Sequence, residues 1–291
     1  MNILILGKNG QIGSYLTKLL KKEYMIFSFG KNELNFIDKN FLKKLNFKLL
    51  KCNIDLVINC VAFTNVDLCE KEKKTSKMIN GIIPVRISKL CKKLNIKFFH
   101  LSTEFVFDGK KKFPYSYKEN DITKPINFYG KTKLFAEKNI LKNKHNQLVF
   151  RLCWLYSKMK NNFVYKIYEA AKKNNFLNVV DDQYGSPTSS RFASEIIFKI
   201  ILKIKDKKKF RSGIYHLCPN GSVNRFEFAK KIIKKYIKKK GLTFDPKNIY
   251  PISSKKLKLP AKRPLNSKIN NMKIKKRFNL RFNNWDYYLK I

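Results

Sequence analysis

Thr103, Tyr129 and Lys133 are the residues with which this chain can move a proton at a carbonyl or alcohol oxygen. Tyr129 and Lys133 stand four apart in Asn127-Phe128-Tyr129-Gly130-Lys131-Thr132-Lys133, at the start of a helix-like stretch, so both project from one face. A free tyrosine titrates near ~10, too high for work at neutral pH. An ammonium beside it favours the phenolate and lowers that value. Tyr129 can then give a proton to such an oxygen or take one from it. Ser102-Thr103, at the end of a strand-like run, offer a hydroxyl to the same oxygen.

A second motif binds rather than reacts. Gly7-Lys8-Asn9-Gly10-Gln11-Ile12-Gly13 follows an apolar strand-like run directly and opens an amphipathic helix. Glycines there let the backbone turn tightly and approach a pyrophosphate seated on the helix N-terminus. The spacing is G-x-x-G-x-x-G rather than G-x-G-x-x-G. At the end of the second strand, Phe29-Gly30-Lys31-Asn32 has no acid to grip a ribose hydroxyl. Lys31 there suits a 2′-phosphate, so NADPH is expected ahead of NADH, which stays open.

Alternating strands and helices must hold these residues. Asn2–Leu6, Met25–Phe29, Asp55–Asn59, Lys97–Leu101 and Leu148–Leu152 read as strands. Helical patterns lie between them at Gln11–Leu20, Lys39–Leu49, Ser76–Leu94 and Tyr129–Leu141. Apolar strands without a polar face imply a parallel sheet covered on both sides, a doubly wound Rossmann-like α/β fold. After about Arg151 the alternation loosens into helices at Asn162–Lys173, Arg191–Ile204 and Arg225–Lys238, with strands at Leu177–Val180 and Gly213–Leu217. The stretch from Asp245 is basic and irregular, with apolar anchors at Trp285, Tyr287 and Leu289. With no repeat and no low-complexity linker, residues 1–155 are expected to form mainly the cofactor half. Residues 156–291 then form mainly a smaller substrate-binding part, with segments that return to the sheet.

Composition excludes more than it selects. No run reaches the roughly 20 apolar residues of a membrane span, and no cleavable leader is legible, so a cytoplasmic protein is expected. Six cysteines without a C-x-x-C pair read as small buried residues of a reducing compartment. His100, His145 and His216 are far apart and suggest no metal cluster; His100 and His216 fall in strand-like runs and read as core histidines. The net charge of +44 would ordinarily point to nucleic acid. Only eight of the 64 basic residues are Arg, however, and the lysines are spread over nearly every helix and loop. Arg is the usual tool of bidentate phosphate and base readout, so no specific nucleic-acid partner is expected. We attribute the bias toward Lys, Asn, Ile and Phe to an AT-rich genome.

The chain resembles the dTDP-4-dehydrorhamnose reductase family nearly end to end. The matching stretches include Gly7–Gly13, Asn59–Asp67, Ser102–Gly109, Tyr129–Lys133, Arg151–Tyr156, Asp182–Thr188, Gly213–His216 and Arg263–Ser267. The Arg-x-x-Trp, Asp-Gln-x-Gly-x-Pro-Thr and Arg-Pro-x-Asn-Ser stretches are the narrow ones. This resemblance implies reduction of the C4 ketone of dTDP-4-dehydro-L-rhamnose by NADPH, in polysaccharide biosynthesis. It implies Tyr129 as acid/base, Lys133 as its electrostatic partner and Thr103 as the hydroxyl tuning the oxygen, with Tyr129 and Lys133 also touching the cofactor and Thr103 the substrate. It further implies Gly7, Gly10, Gln11, Ile12 and Gly13 around the pyrophosphate, and Ala62, Phe63 and Thr64 on the nicotinamide side. Lys31, Asn35 and Phe36 fall toward the adenosine end. Trp154 and Glu104 fall beside the sugar, and Arg263 and Asn266 near the diphosphate.

The chain departs from the family at several points. Glu104 stands for a usual Asp and Phe105 for a usual Tyr; Asn35-Phe36 replaces Asp-Ile or Asp-Phe, and Asn224-Arg225 replaces Ser-Trp. Rival readings on the same frame are a 4,6-dehydratase, for which Glu104-Phe105 offers one acid instead of two, or an epimerase. A binding protein like the regulatory β subunit of methionine adenosyltransferase is another. A homodimer and a requirement for Mg²⁺ stay open, and the sequence carries no dedicated acidic cluster for a metal.

Overall fold

The computed structural model describes residues 1–142, 146–207 and 210–290; His145 therefore lies outside the described residues. The chain opens with β1 (Asn2–Leu6), α1 (Gln11–Leu20), β2 (Met25–Phe29), α2 (Phe41–Lys51) and β3 (Leu56–Asn59). Next come α3 (Val66–Lys71), α4 (Lys73–Ser76), a π-helical turn at Lys77–Ile82 and α5 (Ile83–Lys93). β4 (Lys97–Thr103), a 3-10 turn at Glu104–Val106, α6 (Phe128–Lys142) and β5 (Gln147–Leu152) complete this half. β6 (Leu155–Tyr156), α7 (Phe163–Lys173), β7 (Leu177–Val180), β8 (Tyr184–Gly185), β9 (Thr188–Ser189) and α8 (Ser190–Ile204) lead into β10 (Gly213–His216). β11 (Val223–Asn224), α9 (Arg225–Lys240), β12 (Ile249–Ile252) and α10 (Met272–Phe278) follow.

β10-β5-β4-β3-β1-β2 form the central sheet, with every neighbouring pair parallel. The period of two sorts its side chains. Ile3, Ile5, Phe99, Leu148 and Phe150 enter one core with α1 and α8, while Leu4, Leu6, Phe98 and Val149 enter the other with α2, α5 and α6. The path runs from β1 outward to β2 and then back past β1 to β3, so winding reverses there. In such sheets the crevice beyond the strand C-termini at that reversal is where ligands sit.

The helix expected over residues 76–94 is divided. Pro84 has no N–H for the Asn80 carbonyl, and the chain widens into the π-helical turn just before it. The basic C-terminal stretch is better anchored than its composition suggests. Ile274, Phe278, Leu280 and Phe282 join the α1–α8 core. Trp285 and Leu289 join a third core with α7, α9, Phe107 and Trp154, whereas Tyr287 is exposed.

Candidate functional site

The glycine loop lies where β1 ends. Gly7 has φ +86, and a Cβ on it would press on the Cys60 backbone after β3; a Cβ on Gly13 would collide with the Gly7 carbonyl. Only glycine lets the loop fold this tightly against both neighbours. Gly10 caps α1 without a side-chain acceptor, no acid stands in the first turn, and the buried Gln11 Oε1 has no partner. Uncapped amides and the positive helix end fit a pyrophosphate. Ile12 is core at 2% exposure.

Across the crevice, the segment after β3 is held by a residue the sequence reading passed over. Asn80 accepts from the Phe63 N–H at 2.8 Å and donates to the Phe63 carbonyl at 3.0 Å. That two-bond clamp fixes Ala62, Phe63 and Thr64 at the edge of the crevice.

The end of β2 differs from expectation. Lys31 is exposed in the turn, but Glu33 folds back and accepts from the Gly30 N–H at 2.9 Å while pairing with Lys8 of the glycine loop. An acid therefore does stand at this strand end, supplied from three residues further on. Asn35 only closes its own turn, through the Ile37 N–H, and Phe36 is core, packed on the Phe41 ring.

Thr103 and Tyr129 do meet. A Cβ on Gly130 would collide with the Phe105 carbonyl oxygen, so this glycine lets α6 lie directly on the turn after β4. Asn127 holds the helix start by accepting from the Gly130 N–H at 2.8 Å. Thr103 then stands next to the Tyr129 phenol, and its hydroxyl donates to Glu104 Oε2 at 2.7 Å. Burial pushes Glu104 up to about 7, against the Thr103 hydroxyl, the Arg225 charge and the Trp154 N–H. The Tyr129 phenol is held above its ordinary value, chiefly by burial and then by the Glu104 charge.

Lys133 is bonded to the end of β4. Its Nζ donates to the Leu101 carbonyl at 2.6 Å and faces His100 Nε2 at 3.3 Å. Burial lowers it to about 8, with Glu137 and Cys60 acting the other way. His100, fully buried and held neutral by burial, has its Nδ1 3.2 Å from Asn59 Nδ2. The Asn59 amide is oriented by its Oδ1, which accepts from the Val61 N–H at 3.1 Å. With its amino group toward the ring, His100 Nδ1 must accept and Nε2 must carry the hydrogen. That hydrogen points at the lysine.

On the far side of Glu104, Trp154 is 8% exposed with φ +46, and Arg225 lies over its indole. Two expected substrate contacts are committed elsewhere. Arg263 forms two 2.7 Å bonds to the Asp67 carboxylate and also bonds the Ala261 carbonyl. Asn266 donates to the Lys111 and Tyr115 carbonyls at 2.8 Å each and accepts from the Lys268 N–H, so its amide fixes a loop. Among the described residues no group of three His, Cys, Asp or Glu is placed to hold a metal, and no helix is long and apolar enough to cross a membrane.

Comparison with known proteins agrees over the whole length. Residues 1–291 match the family model described as the RmlD substrate binding domain. The dTDP-4-dehydrorhamnose reductase of Salmonella typhimurium (strain LT2) is 30% identical over 291 residues, spanning 100% of this chain and 96% of that one. A crystal structure of dTDP-4-dehydrorhamnose reductase from Bacillus anthracis in complex with NADP is similar at a TM-score of 0.88 and 29% identity, covering 98% and 96% of the two chains. That of the Clostridium acetobutylicum ortholog is similar at 0.87 and 30%, covering 100% and 97%.

Proposed function

The chain belongs to the RmlD substrate-binding-domain family, and from that premise we propose that it reduces the C4 ketone of dTDP-4-dehydro-L-rhamnose with NADPH, yielding dTDP-L-rhamnose. The observation that carries this reading is the Thr103–Glu104 hydrogen bond at the C-terminal end of β4, set next to the Tyr129 phenol and beside the uncapped glycine loop.

Gly7, Gly10, Gln11, Ile12 and Gly13 would hold the cofactor pyrophosphate, with Ala62, Phe63 and Thr64 beside its nicotinamide. A bound nicotinamide dinucleotide supplies a hydride. The remaining work falls to the chain's own groups. A phenol held above its ordinary pKa is a proton store rather than a base, which suits reduction: Tyr129 enters protonated and donates to the ketone oxygen. Lys133 as ammonium then steadies the phenolate left behind. Thr103 has one hydroxyl hydrogen. While Glu104 is ionised that hydrogen is engaged; a protonated Glu104 donates instead and frees it for the substrate oxygen. Glu104 near 7 thus decides which group Thr103 serves.

The test is NADPH oxidation with dTDP-4-dehydro-L-rhamnose by wild type and Tyr129→Phe. Turnover in wild type that falls in the variant by a hundredfold or more, on the order expected of an acid/base group, supports the reading. NADPH binding without turnover in wild type defeats it.

A further inference from the structure

The indole of Trp154, expected to lie against a sugar, is covered on both sides by the protein itself. The guanidinium carbon of Arg225 lies 3.6 Å from the Trp154 ring centroid and 4.5 Å from that of Phe163. Opposite, the Gly185 backbone comes so close that a Cβ there would collide with the six-membered ring of the indole. Whatever enters this part of the crevice meets a cation, not an aromatic face.

That cation lacks a partner. Among the described residues nothing accepts a hydrogen bond from its guanidinium; only its backbone N–H is engaged, by the Gln183 carbonyl at 3.1 Å. Glu104 is near enough to attract it and Arg263 near enough to repel it, but neither forms an ion pair with it. Arg263 is neutralised by Asp67, so Arg225 is the uncompensated charge of the group. Burial lowers its pKa only to about 10, and it stays cationic at neutral pH. The residue is half-buried rather than sealed, which leaves an edge of the fork in reach of the crevice.

Stacking fixes the guanidinium plane while leaving the in-plane N–H donors pointing outward. A fork held in one plane, partly stripped of water and without an acceptor, is organised for two parallel bonds to a pair of anionic oxygens. We propose that Arg225 receives an anionic oxygen group of the substrate, beside Glu104 and Thr103. The proposal rests on the reductase reading of this site. Two parts of a nucleotide sugar can carry such oxygens: the diphosphate, which dTDP-4-dehydro-L-rhamnose has, and a carboxylate on the sugar ring, which it lacks and a uronate would supply. Both present the same paired geometry.

The experiment measures affinities of the full chain and of Arg225→Met and Arg225→Lys by calorimetry, with Trp154 fluorescence as a second readout. The probes are dTDP, thymidine and glucuronate. Arg225→Met is expected to weaken an anionic probe about tenfold or more while thymidine, which tests fold and nucleoside binding, is unaffected. Arg225→Lys, a charge without the fork, should recover only part of that loss. Loss confined to dTDP identifies the diphosphate as the occupant; loss of glucuronate identifies a sugar carboxylate. Unchanged anion affinities in Arg225→Met, or a wild type that binds neither anion better than thymidine, overturn the proposal. Turnover of dTDP-4-dehydro-L-rhamnose by wild type is scored separately. Turnover with unchanged anion affinities sinks the fork and keeps the reductase; anion loss without turnover does the reverse.

Discussion

Two buried histidines, His100 on β4 and His216 on β10, each face a cation of the α6 side of the sheet, and they do so in opposite tautomers. His216 Nδ1 lies 3.1 Å from the Asn270 carbonyl and donates to it, so its Nε2 lone pair meets the Arg151 guanidinium at 3.4 Å. Arg151 in turn makes bonds of 2.8, 3.0 and 3.2 Å to Glu137, both side chains being 2% exposed or less. Every polar group there has a complementary neighbour. His100 is turned the other way by Asn59 and offers a hydrogen to Lys133, which among the described residues has no carboxylate within ion-pair distance. Glu137 and Lys133 are one turn apart on the same helix, yet one cluster is closed and the other is poised to lose a proton. The closed one fastens α6 to the sheet. The poised one sits beside the chemistry.

If that contrast is right, the largest effect on stability comes from the closed cluster. Arg151→Met leaves Glu137 charged, buried and unpaired, and is expected to cost about 3–5 kcal/mol in denaturant unfolding. Lys133→Met should do the opposite: stability nearly unchanged, since no ion pair is broken, but turnover down about a hundredfold. An unstable Lys133→Met would erase the distinction between the two clusters.

A finer probe converts one histidine into the other. Asn59→Asp keeps the acceptor for the Val61 N–H but holds the hydrogen on His100 Nδ1, turning a lone pair toward Lys133 as His216 does toward Arg151. Lys133, lowered to about 8 in the native chain, should then keep its proton to higher pH. The alkaline limb of the reduction profile, falling as the ammonium is lost, is expected to move up by about one unit, roughly 1.4 kcal/mol. A limb that stays in place would mean that the tautomer of His100 has no say in the lysine's charge.

Glu104 gives a smaller, separable effect. Its raised pKa of about 7 means that the protonated form, which frees the Thr103 hydroxyl, is lost as pH rises through neutrality. Rates should decline severalfold across that range, and Glu104→Gln, whose amide donates to Thr103 at every pH, should flatten the decline. A profile unaltered by Glu104→Gln would assign the neutral-range titration elsewhere.

The frame was legible in the sequence because it is written in local pattern, and the residues proposed to react sit in motifs that are local too. β1, α1, β2 and β7 have the expected bounds; the Gly7–Gly13 loop follows β1, Thr103 ends β4, and Tyr129 and Lys133 lie in the first turns of α6. What the sequence concealed depends on contacts distant along the chain. The parity of the Asn59–His100–Lys133 series is set by a Val61 amide and a strand register. The commitment of Asn266 to residues 111 and 115, and of Arg263 to Asp67, is a tertiary event that no spacing announces. Arg225 was visible only as a departure; its stacking on Trp154 supplies the consequence.

The exposed pair Lys8–Glu33 extends the comparison to solvent, where the same charges should matter little for folding and more for what binds. Both residues are well exposed, so screening by solvent leaves the pair little weight in stability. Its place is what counts. Glu33, lowered by Lys8 and the Gly30 N–H, stands charged at the end of β2, where a ribose 2′-hydroxyl is welcome and a 2′-phosphate is repelled. Lys31 and the released Lys8 favour the phosphate. Glu33→Gln should therefore raise affinity for NADPH relative to NADH by a few fold, with the melting temperature essentially unchanged. The ratio of the two dissociation constants, measured at two salt concentrations, is the check. An electrostatic origin requires the shift to shrink at high salt, and a shift indifferent to salt would place the discrimination in shape rather than charge.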